Sequence, residues 1–286
     1  MESASICKRP FSVSGVLKIL GVSRSGFHAF LRHKPSASPQ RKDAVKEQIR
    51  AVYDASKQIY GAPKIIRKLR EAGLTISERI VGKYMREMGI KAQWVKPYTI
   101  TTRDSDFSEE LHNILEEKFH PERPNAVWCT DITYIWTWDG FVYLTSIMDL
   151  YSRKIIAWTL SQAMEVSCVI DTIEKAKARR GTALPLIIHS DRGSQYVSKA
   201  YRKATEDMQR SYSHKGYPYD NACIESFHAL IKREWLDRFK ITDFRHAYHL
   251  VFEYIEAFYN TVRIHSHCDY MSPDQYEKLY QKITAA

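Results

Sequence analysis

The sequence predicts an α/β domain on a mixed five-stranded sheet, preceded by an all-α module. Three observations carry this. After residue 124, strand-like and helical runs follow one another in the order βββαβαβα, an antiparallel meander with parallel additions. Before residue 100 the apolar residues recur only at helical spacing. Charge is also segregated. Residues 1–100 hold 20 Lys and Arg against 7 Asp and Glu, while residues 101–286 hold 23 against 26. A polyanion-binding module followed by a near-neutral domain accounts for that split.

The chain has 286 residues, room for about two domains at roughly 150 residues each. Its 44% hydrophobic and 27% charged content is that of a globular protein. No apolar run approaches the roughly 18 residues of a membrane span, and MESASICKRPFSVSG lacks the apolar stretch of a signal peptide. A soluble, cytoplasmic protein with no membrane partner is expected. The five cysteines are scattered without a CxxC pair, which argues against a disulfide framework and a zinc finger.

Residues 1–36 read as a partial helix-turn-helix. Val13, Val16, Leu17 and Leu20 share a helix face, Gly21 breaks it, and Ser23 caps a second helix carrying Phe27, Phe30 and Leu31. PSASPQ, residues 35–40, reads as a linker. Residues 41–100 read as a basic helix-turn-helix module. A helix runs from about Arg41 to Ser56. Pro63 then opens a helix with Ile65, Ile66 and Leu69 on its apolar face, stopped by Gly73. Ser77, or Thr75 with Glu78, caps the next, whose apolar face is Val81, Tyr84, Met85 and Met88. Lys64, Arg67, Lys68, Arg70, Arg79, Lys83 and Arg86 are left outward, placed to neutralise phosphates. Residues 101–123 read as a linker helix, centred on Glu109–Phe119. Residues 124–236 form the α/β core, and residues 237–286 a helical C-terminal extension.

Within the core, Asp139-Gly140 between two Val-, Ile-, Thr- and aromatic-rich runs marks a hairpin, and LPLIIHS reads as a strand buried on both faces. Three acids stand out by position. Asp131 lies inside the first strand, where an acid is unwelcome. Asp191 directly follows LPLIIHS, at the strand end where α/β sheets gather their sites. Glu225 lies in the first turn of the last core helix, off the stripe made by Ile224, Phe227, Ile231 and Trp235, with His228 and Lys232 on its own side. Taken singly, Asp191 equally opens a turn and Glu225 equally complements a helix dipole. Taken together, three carboxylates from three elements suit two hard divalent ions that serve phosphoryl transfer. Lys232, two turns beyond Glu225, is placed to reach a phosphate.

WCTDITYI, MDLYSRKIIAW, HSDRGSQY and DNACIESFHALIKREW resemble the catalytic core of DDE transposases of the retroviral-integrase superfamily, in particular the OrfB-type subunit of bacterial insertion sequences. YGAPKIIRKLREAGLTISERIVGKYMREMGIKA resembles that family's helix-turn-helix segment, and FYNTVRIHSHCDYMSPDQYEKLY its C-terminal pattern. Together the motifs span residues 11–286. The resemblance implies an RNase H-like fold with Asp131, Asp191 and Glu225 as the catalytic triad, binding two Mg²⁺ or Mn²⁺ ions. Lys232 would match the family's basic residue that contacts DNA ends. The implied activity is metal-dependent cleavage at insertion-sequence ends followed by strand transfer from the freed 3′-hydroxyl, with no covalent protein–DNA intermediate. The implied partners are double-stranded DNA (terminal repeats and target), an upstream-frame OrfA-type protein, and further copies of the chain on DNA.

Two departures qualify the match. Residues 192–224, the 33 residues between Asp191 and Glu225, form a shorter interval than the family's usual one, with the shortfall near EDMQRSYS. HSHCDY also differs from the usual short version. No sustained heptad is present that would replace an upstream partner. The competing expectation is a catalytically defective or partner-dependent DNA-binding regulator of the same element. An RNase H-type nuclease fits the basic module poorly. A tyrosine recombinase, a serine hydrolase and a zinc site at His265, His267 and Cys268 lack their supporting patterns. Arg263 and the SPDQYEKLY tail either serve the active assembly or pack on the core, packing being the favoured expectation.

Overall fold

The computed structural model of the chain describes residues 12–32, 37–93, 111–180, 186–214 and 217–285. It divides into two compact units, 1–51 and 52–286. In the first, helices α1 (Val13–Ile19) and α2 (Arg24–Arg32) flank Gly21, whose φ of +66° suits glycine. Ser23 Oγ accepts from the Gly26 N–H at 3.1 Å, the expected cap. Of the expected apolar faces only Leu17 is buried; Val13, Val16, Leu20, Phe30 and Leu31 are exposed. Helix α3 (Ala37–Ala55) starts four residues before Arg41. The predicted linker is therefore helical over 37–40, with Pro39 in a first turn that needs no N–H donor, while residues 35–36 lie outside the described part.

In the second unit α4 (Ala62–Glu71) and α5 (Glu78–Glu87) follow the predicted pattern. Ile65, Ile66, Leu69, Val81 and Met85 are buried, Pro63 sits in the first turn of α4, and Ser77 accepts from the Ile80 N–H to cap α5. The linker helix is a correction. Residues 101–110 lie outside the described part, and 111–123 are not helical. Instead Ser211 Oγ accepts from the N–H groups of Ile114 and Leu115 at 2.9 and 3.0 Å, and the Tyr212 N–H donates to the His112 carbonyl. Leu111 and Leu115 are buried, and Glu116 and Glu117 take positive φ, which ends any helical run. Burial of those two leucines and the Ser211 clasp outweigh local helix preference.

The sheet comprises β1 (Val127–Thr137), β2 (Gly140–Asp149), β3 (Ile155–Ser161), β4 (Ile187–Ser190) and β5 (Gln209–Tyr212), with α6 (Val166–Arg180) before β4 and α7 (Lys199–Ala204) before β5. Its order is β3-β2-β1-β4-β5, antiparallel from β1 to β3 and parallel from β1 through β4 to β5. The hairpin forms where predicted, but the positive φ falls on Gly140 alone, at +116°, so the loop is Trp138-Asp139 and Gly140 already pairs with Thr137. Trp128, Ile147, Ile156, Val169, Ile173, Ile188, Tyr196 and Tyr201 fill the core against α6 and α7. Helix α8 (Ala222–Glu234) lays Ile224, Phe227 and Ile231 against the sheet; all three are buried, as is Trp235 beyond its end. Among the described cysteines, Cys129, Cys168, Cys223 and Cys268 are free.

The C-terminal extension, with α9 (Phe244–Tyr254) and α10 (Pro273–Thr284), docks through polar side chains. Asn260 bonds the backbone N–H and carbonyl of Ile155 at 3.0 Å each, and Tyr259 Oη donates to the Arg153 carbonyl. His267 meets the Tyr151 carbonyl and Cys268 Sγ the Ser152 carbonyl, which accounts for that His/Cys group without a metal. Arg263, buried as expected, grips Glu234 at the end of α8 with Nε to Oε2 at 2.7 Å and Nη2 to Oε1 at 2.6 Å, while Tyr254 Oη donates to Oε2 at 2.6 Å. The Tyr60 hydroxyl, just before α4, accepts from the Ile264 N–H at 2.9 Å, so the helical module joins the same knot. Arg263→Leu leaves Glu234 charged and buried, and is expected to lower the unfolding free energy by about 3–5 kcal/mol. Urea denaturation measures this, and Arg263→Leu/Glu234→Leu should recover a large part of the loss.

Candidate active site

Parallel pairing brings the two aspartates together. Val127, Trp128 and Cys129 pair with Ile187, Ile188 and His189. The pairing stops at Cys129 and His189; Asp131 and Asp191 stand two residues further along their strands, near enough for the charge of Asp131 to act on Asp191. Strand β4 ends at Ser190, so the sheet opens between them there. Such an opening at strand carboxyl ends is where α/β sheets form clefts.

Each carboxylate is held by its surroundings. The Gly193 N–H donates to Asp191 Oδ1 at 2.9 Å. A Cβ on Gly193 would stand 3.0 Å from that same oxygen and 3.2 Å from Gln195 Oε1, so a larger residue there would press on the aspartate. Arg192 points away from the cleft. Its Nε donates to the Ser213 carbonyl at 2.7 Å and its Nη2 to the Leu111 carbonyl at 3.1 Å, pinning the turn to the strand-edge loop. Asp131 Oδ2 lies 3.3 Å from His228 Nδ1, whose other nitrogen lies 3.4 Å from Ser146 Oγ. Glu225 comes from the first turn of α8, presented by the buried stripe behind it. The loop before α8 is fixed by buried Asp220, which accepts from the backbone N–H of His214 and contacts its ring at 2.8 Å. Between α7 and β5 the chain makes a tight turn, where the Met208 N–H donates to the Thr205 carbonyl.

The three carboxyls sit in each other's fields. Burial and then Asp131 raise Asp191 to about 6. Burial, then Asp131 and Asp191, raise Glu225 to about 7. Like charges forced together in a low-dielectric cleft behave this way. Asp149 is also raised to about 6, by burial, but it accepts from the Asn125 and Tyr151 N–H groups and so serves the β2–β3 turn.

Hard carboxylate oxygens with unrelieved mutual repulsion are the donor set a divalent cation requires. Asp131, Asp191 and Glu225 offer donor chemistry that suits such an ion; as they stand, no three His, Cys, Asp or Glu side chains among the described residues are grouped so as to hold one. His228 was legible only as a neighbour of Glu225 on the helix; its contact with Asp131, and the Gly193 N–H, had no signal in the sequence beyond that offset of three.

The basic candidates separate. Lys232 places its ammonium 4.4 Å above the Tyr134 ring; burial lowers its pKa, opposed by Asp237 and Asp131, which puts it within reach of the acids' field. Lys64 is a correction to the outward set. Its ammonium lies 5.1 Å from the Tyr60 ring, and burial, with Arg263 nearby, lowers its pKa to about 8. Arg67 stacks on Tyr270 at 4.3 Å, and Lys68 pairs with Glu71 at 2.9 Å. On α5, Arg79, Lys83 and Arg86 are exposed.

Comparison with known proteins places the sequence among transposases. The chain matches the family models of an HTH-like domain over residues 40–98 and of integrase core domains over 121–218 and 206–273. It is 36% identical over 250 residues to the transposase for insertion sequence element IS904 of Lactococcus lactis subsp. lactis (strain IL1403), covering 87% of this chain and 99% of that one. Transposase InsF for insertion sequence IS3A of Escherichia coli (strain K12) is 33% identical over 273 residues, covering 93% of this chain and 94% of that protein. An uncharacterized 31 kDa protein of insertion element IS600 from Shigella sonnei is 31% identical, covering 94% and 99%.

The pKa shifts set a pH dependence. Asp191 and Glu225 bind protons more tightly when folded than a free carboxyl does. Their stabilising contribution is therefore full below about pH 4 and is lost as pH rises through about 6 to 7. With a chelator present, Glu225→Gln is expected to melt above the wild type at pH 8, and the gap should close toward pH 4. Adding Mg²⁺ at pH 8 should raise the wild-type melting temperature more than the variant's.

Proposed function

This chain belongs to the insertion-sequence transposases that carry an integrase core domain, and from that premise we propose that it cleaves DNA at the ends of its own insertion sequence and joins the freed 3′ end to a second site. The carrying observation is the placement of carboxyls from β1, the end of β4 and α8 within each other's electrostatic field. Asp131, Asp191 and Glu225 are the residues that would hold Mg²⁺ or Mn²⁺, two ions in this proposal. When bound, the ions supply activation of the attacking oxygen and stabilisation of the leaving one.

The chain's own residues do the rest. His228 orients Asp131, and the Gly193 N–H orients Asp191. In cleavage, a water oxygen bonds to phosphorus as the bond to the 3′ oxygen breaks, and the leaving oxygen takes a proton to become the free hydroxyl. In strand transfer that hydroxyl loses its proton, attacks a second phosphodiester and displaces another 3′ oxygen. Lys232 meets a phosphate beside the reacting one. The α4–α5 pair holds duplex DNA chiefly through Arg79, Lys83 and Arg86. Arg67 and Lys68, engaged by Tyr270 and Glu71, contribute less, and Lys64 is a packing residue. A second copy on DNA and an upstream-frame OrfA-type protein complete the proposed assembly.

The test uses a labelled duplex bearing the terminal repeat that flanks the gene, with Mg²⁺ or Mn²⁺ and the upstream-frame protein. Glu225→Gln is expected to lose cleavage and strand transfer by more than about 100-fold, since even outer-shell partners of a metal cost 10–100-fold. Activity that survives Glu225→Gln overturns the proposal. Binding without chemistry in the wild type favours the regulator instead. Separately, Arg79→Ala/Lys83→Ala should weaken duplex binding irrespective of sequence. The slope of log affinity against log salt should fall by about 2, read by fluorescence anisotropy.

A further inference from the structure

A groove of about 400 Å³ continues from Lys232 along the β1–β2 hairpin, lined among others by Tyr134, Trp136, Trp138, Phe239, Lys232 and Lys240. Its rings do not belong to the core. Trp136 and Trp138 are 61% and 67% exposed, and Tyr134, Phe141 and Phe239 are exposed with them. Contiguous exposed apolar surface of this kind marks a binding site in soluble proteins.

The rings are held in place without a ligand. The Trp138 N–H donates to the Ile241 carbonyl at 3.1 Å, tying the hairpin tip to the segment after α8. Phe141 stands edge-on to Trp136 at 4.9 Å and to Tyr134 at 5.2 Å, and the Lys232 ammonium covers Tyr134. Asp237 shares the groove, leaving the two lysines in excess.

Flat rings beside ammonium groups are what unpaired nucleotides require: bases stack on the aromatic faces while cations meet the backbone. A paired duplex keeps its base faces to itself, so such a groove adds nothing for it. A protein partner would gain from the rings but has no use for lysines at the edge of a carboxylate cleft. Resting on the transposase reading above, we propose that this aromatic groove binds one or two unpaired bases of the DNA strand adjoining the reacting phosphate, with Trp136 and Trp138 as stacking platforms.

The test uses the full-length protein in chelator and two element-end duplexes of identical length, one fully paired and one with its terminal base pairs mismatched. The mismatched duplex carries 2-aminopurine at an unpaired position. The wild type is expected to bind the mismatched duplex more tightly and to quench the 2-aminopurine. Trp136→Ala/Trp138→Ala should lose about ten-fold in affinity for the mismatched duplex, with little change on the paired one, as the loss of base–aromatic stacking requires. Trp136→Phe/Trp138→Phe should keep most of the preference. No preference in the wild type, an equal loss on both duplexes, or a change of oligomeric state in the Ala variant without loss of DNA affinity overturns the groove assignment. In those cases Glu225-dependent cleavage still stands by itself. Failure of the wild type to bind either duplex, or cleavage that ignores Glu225→Gln, overturns the transposase proposal and the groove with it.

Discussion

The bidentate pair between Arg263 and Glu234 is the joint on which the second unit depends. Glu234 closes α8, and α8 opens with Glu225, so whatever fixes the far end of that helix also fixes the near one. Burial works to raise the Glu234 pKa, but the bonds from Arg263 and the charges of Arg263 and Lys64 bring it below the ordinary value. The carboxylate therefore stays ionised inside the protein. Tyr254, Tyr60 and Lys64 crowd the same point from the C-terminal extension and the helical module. A buried ion pair contributes little net stability, but removing one partner is costly, and this asymmetry makes it a strict specifier of how the helices meet.

Against that fixed frame, the acid cluster is under electrostatic stress. The parallel pairing of β1 with β4 brings two aspartates together, and the buried face of α8 delivers a third carboxyl to them. Among the described residues, the set is met by His228 beside Asp131, the Gly193 N–H on Asp191 and the shared field of Asp131 and Lys232. Stress of this kind is characteristic of groups kept for chemistry rather than for stability. Asp149, fully buried and raised by burial to about 6, instead accepts from two backbone N–H groups and shapes a turn.

Charge and aromatic surface are distributed to suit a long polyanionic ligand. The exposed cations of α5 present point charges without aromatic faces, as duplex backbone requires, whereas the hairpin end of the sheet presents rings with few charges. The two kinds of surface lie at different places in the fold and match different states of a nucleic acid. Lys64 shows how burial overrides composition. It is one of a run of basic residues, yet it sits over Tyr60 beside the ion pair and contributes packing.

Local chemistry made much of this legible. Helical spacing located α4 and α5. The Val-, Ile- and Thr-rich runs located β1 to β3, the apolar LPLIIHS located β4, and QRSYS gave only a weak signal for β5; an acid in the middle of β1 stood out because nothing in a strand favours it. The motifs of the acid-bearing segments identified the family. What stayed hidden depended on partners remote in the chain. The 111–123 segment reads as helix by composition, but Leu111, Leu115 and the Ser211 clasp hold it as an irregular run with a turn at Glu116 and Glu117. His228 gives no hint of Asp131, and Arg263 gives none of Glu234. Side-chain periodicity and short-range turn chemistry were enough for most of the elements, for an antiparallel meander followed by parallel strands, and for singling out Asp131, Asp191 and Glu225 as candidates. Only the tertiary structure decided that the acids converge, that Lys64 faces inward and that the hairpin tryptophans line a groove, because burial and Coulomb interactions act between groups that the chain brings together only on folding.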